Sequence, residues 1–492
     1  MPLLKKSITA LHRHRRLACS LPIVLAVSAC GSDALQEIDD ALANGEDVTI
    51  DITQDDGSLT IDPTTDGDGD GGDDVADDDA GAGGPAGGVF AMSNILSGNT
   101  IVSYARAEDG TLSIVGEFET GGLGGDFDGP EGLDPLISAY ALINTPDNEY
   151  LMAVNAGSDT ISVMQINDDM SLEVVDIVGT AGTGPNSLAM NGNIVYVTNI
   201  DADGEFAGEP DQEGSIYGYT FENGDLTAIP GSLRDLENRP AAVRFTPDGS
   251  QLLVTSINAG SAALASGNED SIVTFSIDEN GLASDTPTDG TTSTLVGNAE
   301  GRNLPSAIGF EVVDRSNGTF AIVTEAREFQ SEGQPPAFPQ LQTGSVSVYQ
   351  VNDDGSFTNS QLDLLAGQTA TVGQRTACWI VISPDGQYFW VSNALDASIS
   401  SYQFTDDSGN VELVDVLAAT GVQPTSPDPA VAFATTDGWI DLDISDDGQF
   451  LYQLFGLSGQ VGVYAVDGPN LTLIQTVAGN LPLDNTQGIV SF

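Results

Sequence analysis

ISPDGQYFWVSNALDASISSYQFTDDSGNVELVDVLAATG, residues 382–421, holds four apolar stretches separated by turn-forming residues. An apolar start runs into Ser-Pro-Asp-Gly, YFWVSN follows, SISSYQF alternates apolar with polar, and an Asp/Gly turn leads into VELVDVL. Proline and Asp-Gly preset the backbone for tight reversals between antiparallel strands. Alternation at period two marks strands that pack sheet on sheet, and no long helical period competes with it. The stretch therefore reads as one four-stranded antiparallel sheet.

The same unit recurs along the chain. Its first turn returns as TPDG from Thr246, SPDG from Ser383 and SDDG from Ser445. Its second strand returns as YLMAVN (150–155), IVYVTN (194–199), QLLVTS (251–256) and FAIVTE (320–325). Its third strand returns seven times, as NTIVSYAR, DTISVMQI, GSIYGYTF, DSIVTFSI, GSVSVYQV, ASISSYQF and GQVGVYAV. A unit that buries its faces only against its neighbours, repeated at about fifty residues, predicts an all-β, seven-bladed β-propeller over 89–492. The ends agree: VFAMSN (89–94) starts a blade without an innermost strand, and GIVSF (488–492) is a strand without a blade. The C-terminal strand is expected to complete blade one and close the ring.

The first 88 residues have a different chemistry. Lys5, Lys6, Arg13, Arg15 and Arg16 precede the apolar run Leu17–Ala29, the pattern of an export signal. That run ends VSAC at Cys30, which resembles the bacterial lipobox, so residues 1–29 read as a lipoprotein signal peptide and Cys30 as the acylated residue, with an outer-membrane anchor in the cell envelope. Residues 30–88 read as an acidic, Gly/Asp-rich disordered tether, with a short helix at 33–42 and a hairpin at 48–61 the only local structure suggested. Within the tether Asp66, Asp68, Asp70, Gly71, Asp74 and Asp77 have the spacing of a calcium loop without its flanking helices, so calcium competes with a plain solvated tract. No other cofactor is suggested.

Signal removal would take His12, His14, both lysines and Cys19 with it. The mature chain would then have no histidine base or ligand, no Schiff-base lysine, and Cys378 as its lone thiol beside a lipidated Cys30. Its 73 acids against eight remaining arginines leave a charge of about −65, which disfavours nucleic acid and anionic membrane surfaces and fits solvation in salty water. The expected partners are the membrane, through lipid, and a protein, carbohydrate or small molecule, on a monomer.

In a propeller the loops after second and fourth strands share one rim, and the turns after first and third strands share the other. The first rim carries the long connections 199–214, 257–270, 325–344 and 420–438, so ligands or partners are expected there. Glu325, the single carboxylate among the second-strand ends compared above, belongs to this rim; Arg239, Arg302, Arg327 and Arg375 are close by in sequence or blade position. Such a group would bind a polar or anionic ligand, or pin two loops as an ion pair, and the residues leave both readings open.

Tyr196, Val197, Thr198 and Asn199 spell YVTN, and over 89–492 the chain resembles the lactonase-type, 6-phosphogluconolactonase-like propellers with YVTN repeats. Those propellers include sugar-lactone hydrolases, muconate cycloisomerases and non-enzymatic surface proteins. The resemblance implies histidine, arginine and glutamate at a channel mouth. Here Pro305-Ser306-Ala307 replaces Pro-Arg-His, Trp379-Ile380-Val381 replaces a Glu-Ile-His-like pattern, Asn393-Ala394 replaces Asn-Arg, and GPNS (184–187) lacks histidine. Thr324-Glu325 alone keeps the Asn-Glu acid, leaving Glu325 the candidate catalytic residue and Arg239, Arg302, Arg327, Arg375 and Asn393 the candidate ligand contacts. The expectation is a binding or scaffold module without hydrolase activity. The alternative is an exported lactonase-like enzyme opening a sugar lactone or related cyclic ester through Glu325.

Overall fold

The computed structural model describes residues 84–127, 134–200, 214–236, 238–257, 271–290, 306–326, 344–365, 375–422 and 435–492, with the short stretches 7–9, 49–51, 53–55 and 58–60. Two compact units divide at Ala82 and Gly83. In the first, Thr53–Asp55 and Ser58–Thr60 pair as a hairpin inside the expected 48–61, while Thr49–Asp51 pairs with Ser7–Thr9. Cys30, the 33–42 segment and Asp66, Asp68, Asp70, Asp74 and Asp77 lie outside the described residues.

The second unit is the seven-bladed propeller, with antiparallel strands ordered from the channel outwards. Blade one takes Ile489–Ser491 as its inner strand, then Gly87–Met92, Thr100–Arg106 and Leu112–Glu119. Blade two runs Leu142–Asn144, Tyr150–Asn155, Thr160–Ile166 and Leu172–Gly179. Blade three runs Pro185–Asn191, Ile194–Asn199, Gly214–Glu222 and Asp225–Ala228, with Arg234–Leu236 also paired to its third strand. Blades four and five start at Arg239–Phe245 and Ser306–Arg315, blades six and seven at Ala377–Ile382 and Trp439–Ile444. Each inner strand touches the next, and Ile489–Ser491 contacts both Trp439–Ile444 and Leu142–Asn144, so the ring is complete.

The recurring residues of the repeat each have a physical task. Tyr104, Tyr219, Tyr349 and Tyr402, one per third strand, are buried to within 1 % exposure, filling the space between blades. In the first turns Asp147, Asp248, Asp385 and Asp447 each accept from the hydroxyl of Thr145, Thr246, Ser383 or Ser445 and from a backbone N–H two residues on. These aspartates hold the reversal locally, as an Asx turn does. The next residue is left-handed: Gly249, Gly386 and Gly448 have φ of +71°, +65° and +69°, and blade two uses Asn148 at +59°. Asparagine tolerates that region and brings an amide, which donates to Asp446 Oδ2 of blade seven at 2.8 Å.

Closure is non-covalent. Ile489, Val490 and Ser491 pair with Ala91, Phe90 and Val89 on one side. On the other, blade seven reaches across: Gly488 N–H donates to Asp441 Oδ2 at 2.8 Å, and Ser491 donates to Asp443 Oδ2 from its N–H at 2.6 Å and its hydroxyl at 3.0 Å. Arg106 ties the seam with Nε on Phe492 O and Nη2 on Ala86 O, both at 3.1 Å, and an ion pair to Asp447 at 3.3 Å. Its side chain is 6 % exposed, so Arg106→Ala leaves two backbone carbonyls without this donor and removes the ion pair to Asp447. The variant is expected to lose about 2–4 kcal/mol in a urea melt, and an unchanged midpoint would mean that the seam holds without it.

Candidate functional site

The channel of a propeller is a gap that side chains or solvent must fill. Here the segment Asp134–Tyr140 crosses it. Ser138 Oγ donates to Asn186 O of blade three at 2.8 Å, Ala139 N to Ala241 O of blade four at 3.2 Å, and the Tyr140 hydroxyl to Phe310 O of blade five at 2.7 Å. Ser138 O in turn accepts from the Trp379 indole of blade six at 2.9 Å and from Gln487 Nε2 at 2.7 Å. Seven residues thus contact five strands or strand approaches before entering blade two, with Leu136, Ser138 and Ala139 fully buried. Among the described residues, this segment and Trp379 occupy the channel at the end where the inner strands begin.

Beyond the plug lies a cavity of about 260 Å³. Its lining includes Asn144, Thr145, Pro146, Asn148 and Asp446, which belong to the first turns or their approaches, so it sits at the short-turn end. Deeper in, Tyr140, Arg244, Glu311, Asp441 and Asp443 supply its polar groups, and Ile143, Met190, Leu442 and Val490 its apolar ones. Asp441 and Asp443 share a face because alternate strand residues do. The strand is bulged where it leaves Trp439: Trp439 faces Phe455 and Leu442 faces Gln453, leaving Ile440 and Asp441 outside the pairing. Gln453 Nε2 takes up their freed carbonyls at 2.5 and 3.2 Å.

The charges are unevenly partnered. Arg244 Nη2 meets Glu311 Oε1 at 3.0 Å, and its guanidinium carbon lies 3.3 Å from the centre of the Tyr140 ring. The single arginine of the lining is thus charge-paired through Nη2, while its buried Nε has no hydrogen-bond partner among the described residues. Asp441 and Asp443 have no cation among the described residues: burial pushes both carboxyls up to about 7, the neighbouring Asp443 adding to the effect on Asp441 and Glu311 to that on Asp443, against the backbone N–H groups that hold them down. Burial, followed by Glu311, drives the Tyr140 phenol well above its usual value. Two carboxyls poised near neutrality can hold a cation or a polar ligand, or exchange a proton. Among the described residues no group of three or more acid, histidine or cysteine side chains converges to hold a metal ion.

The pattern that defines the lactonase, 7-bladed beta-propeller family matches residues 139–304 and 342–426. The chain belongs to that family. Its fold is similar to a candidate 6-phosphogluconolactonase from Bacteroides fragilis, at 18 % identity and a TM-score of 0.51 over 83 % of this chain and 98 % of that one. It is equally similar to another from Bacteroides uniformis, at 18 % identity and 0.53 over 82 % and 99 %. A hypothetical selenium-binding protein from Sulfolobus tokodaii shares the fold at 10 % identity, with a TM-score of 0.52 over 83 % and 94 %. At these identities the likeness is one of fold alone.

In this lactonase-family propeller Glu325 stands apart from the cavity. It is 3 % exposed, and its Oε2 accepts from the Ser345 hydroxyl at 2.5 Å and its Oε1 from Ser347 at 2.8 Å, with Tyr349 at 3.5 Å. The same place in other blades is held by the YVTN asparagine: Asn155 Nδ2 donates to Thr160 and Ser162, Asn199 Nδ2 to Ser215, and Asn393 Nδ2 to Ser398 and Ser400. Each is a clamp between a second and a third strand; in blade five the hydroxyls donate to a carboxylate, where in those blades they accept from an amide. Arg375 binds Asp396 through Nε at 2.8 Å and Nη2 at 2.7 Å, and its N–H donates to the same carboxylate at 2.8 Å. Arg239 begins the inner strand of blade four, buried to 1 %. Arg302 and Arg327 lie outside the described residues. Cys378 is a thiol in no disulfide, at 1 % exposure on the inner strand of blade six.

None of Glu325, Arg239, Arg375 and Asn393 lines the cavity. Sequence reasoning missed Asp441, Asp443, Glu311, Arg244 and Tyr140. The available signal was WIDLDI (439–444), where two acids alternate with apolar residues in an inner strand, and the charged residue in each of AAVRF and GFEVV.

Two outcomes follow from these environments. Glu325→Ala removes acceptors from two buried hydroxyls and is expected to cost about 1–3 kcal/mol in a denaturant melt, whereas a neutral result would make the clamp dispensable. For Asp441 and Asp443 the folded value of about 7 lies above the usual carboxylate value. The folded state therefore holds those protons more tightly, and the resulting stability is complete below the unfolded value and lost as pH rises through about 7. In molar salt, which screens the general repulsion, the wild type should lose more thermal stability between about pH 5 and about pH 8 than Asp441→Asn/Asp443→Asn, whose amides still accept the Gly488 and Ser491 bonds. Parallel melting curves across that range would refute the shift.

Proposed function

We propose that this lactonase-family propeller is a binding module which takes a small polar ligand in the channel cavity at the short-turn rim, without lactone hydrolysis. The observation that supports it is the state of the cavity's charged groups. Arg244 is paired with Glu311 and stacked on Tyr140, while Asp441 and Asp443 each hold an N–H of the closing strand. Lactone opening needs a base on water and a donor aimed at the developing oxyanion. The bases are present, but the one arginine has its charge balanced by Glu311 and the remaining side-chain donors of the cavity are neutral. The acids also oppose a phosphorylated or carboxylated substrate, which argues for a neutral or cationic ligand.

The second reading is hydrolysis, favoured by two cavity carboxyls near 7 in a fold family that carries the name lactonase. In that case Asp441 or Asp443 would deprotonate water. Export, acylation at Cys30 and presentation of the long loops to a partner belong to the same proposal. They rest on the VSAC sequence and the loop lengths.

The deciding assay measures hydrolysis of unphosphorylated and phosphorylated sugar lactones by residues 83–492, the compact unit. Rates equal to the spontaneous ones are expected. Saturable turnover abolished by Asp441→Asn, with the fold intact by circular dichroism, would replace the binding reading with the enzymatic one.

A further inference from the structure

The cavity's own unmatched groups narrow the ligand further. Its charged lining is Glu311, Asp441, Asp443 and Asp446 against Arg244 alone, and Arg244 is neutralised by Glu311 at 3.0 Å. Asp446 faces the amide of Asn148. Asp441 and Asp443 remain: each is held by backbone N–H on one oxygen, and Oδ1 of Asp441 accepts no bond from another described residue although the side chain is only 6 % exposed. Asp441 lines the cavity, so the donor for this acceptor comes from whatever fills the cavity. A neutral polyol would fill the hydrogen bonds and leave the charge uncompensated, whereas an ammonium group supplies three donors and the missing positive charge together.

We propose that the cavity takes a small organic cation, its ammonium group seated between the carboxyls of Asp441 and Asp443. The inference rests on reading the cavity as a ligand site. Asn144, Thr145 and Asn148 at the mouth suit the polar remainder of the ligand, and Ile143, Met190 and Val490 its methylenes. The titratable groups facing the two carboxyls are Glu311, Arg244 and Tyr140 across the channel, Asp446 at the turn, and Tyr452 on the adjacent strand. Tyrosine and arginine keep their protons through the neutral range. Cation binding therefore draws protons from the aspartates, and falling pH opposes it.

The test is calorimetric titration of 1,4-diaminobutane into residues 83–492 in molar sodium chloride, where adsorption to the acidic surface is screened. Binding at one site is expected, with protons released, as read from two buffers of different ionisation heat. Affinity should fall about tenfold or more from about pH 8 to about pH 5.5. Asp441→Asn should weaken it by at least about tenfold, and Met190→Trp, which narrows the cavity without touching the carboxyls, should abolish it. Diamine binding that ignores both substitutions is surface adsorption and overturns the proposal. If erythritol binds instead, with an affinity flat in pH and lost in Met190→Trp, the cation is wrong and the site reading stands. If neither probe binds, both fail.

Discussion

A ring of sheets must be closed somewhere, and a strand closing it without a covalent neighbour must have its second edge satisfied by the next blade. In this propeller that neighbour is blade seven, and it answers with carboxylates. Asp441 and Asp443 accept from Gly488 and Ser491, while Arg106 holds the same strand's last carbonyl from the opposite side. Because the acceptors are buried acids, closure places negative charge on the wall of the channel. The cavity is a consequence of how the seam is made. It opens where blade one has no first turn of its own, and the Asn148–Asp446 bond spans the turns on either side.

The acidity of the chain divides into two populations with opposite electrostatics. Turn acids such as Asp109, Asp169, Asp248, Asp354 and Asp406 accept hydroxyl or backbone donors within a few residues, and those hydrogen bonds hold their carboxyls below the usual range. They remain ionised in water and lock the reversals. Asp441 is buried and Asp443 half-buried in the channel wall, and burial drives them the other way. Composition alone registers both as charge; only their depth separates a solubilising surface from a site.

The blades were legible because each is local. A strand pattern of period two and an Asp-Gly turn are written within forty consecutive residues, and the seven copies of SYQF-like strands settled the count. The closing strand was legible too, since GIVSF had no sheet of its own. The cavity was not, because its polar groups come from Tyr140, Arg244, Glu311 and Asp443, scattered over more than half the chain and brought together only by ring geometry. The plug at Asp134–Tyr140 carries no periodic signal at all. Glu325 attracted attention for a real reason: it breaks the asparagine pattern. Yet the position it breaks is a clamp between strands, as the bonds of Asn155 and Asn393 show, and a carboxylate that accepts from Ser345 and Ser347 performs the same task with the donors reversed.

The beginnings of the inner strands and the cavity lie at opposite ends of the channel, and Trp379 explains why the difference matters. Where the family resemblance suggested a polar Glu-Ile-His-like stretch, this chain has Trp379-Ile380-Val381, and the indole reaches across to Ser138 O with its ring 98 % buried. A large aromatic anchored at both its apolar face and its N–H is costly to displace, because displacement would expose the ring and strand a buried carbonyl. Solvent or substrate entering among the described residues therefore meets the channel from the short-turn side. There the first groups encountered are turn amides, hydroxyls and Asp446, and the next are the seam aspartates. An approach that mixes amides and hydroxyls with Asp446 and ends on the seam carboxyls favours a ligand that brings positive charge.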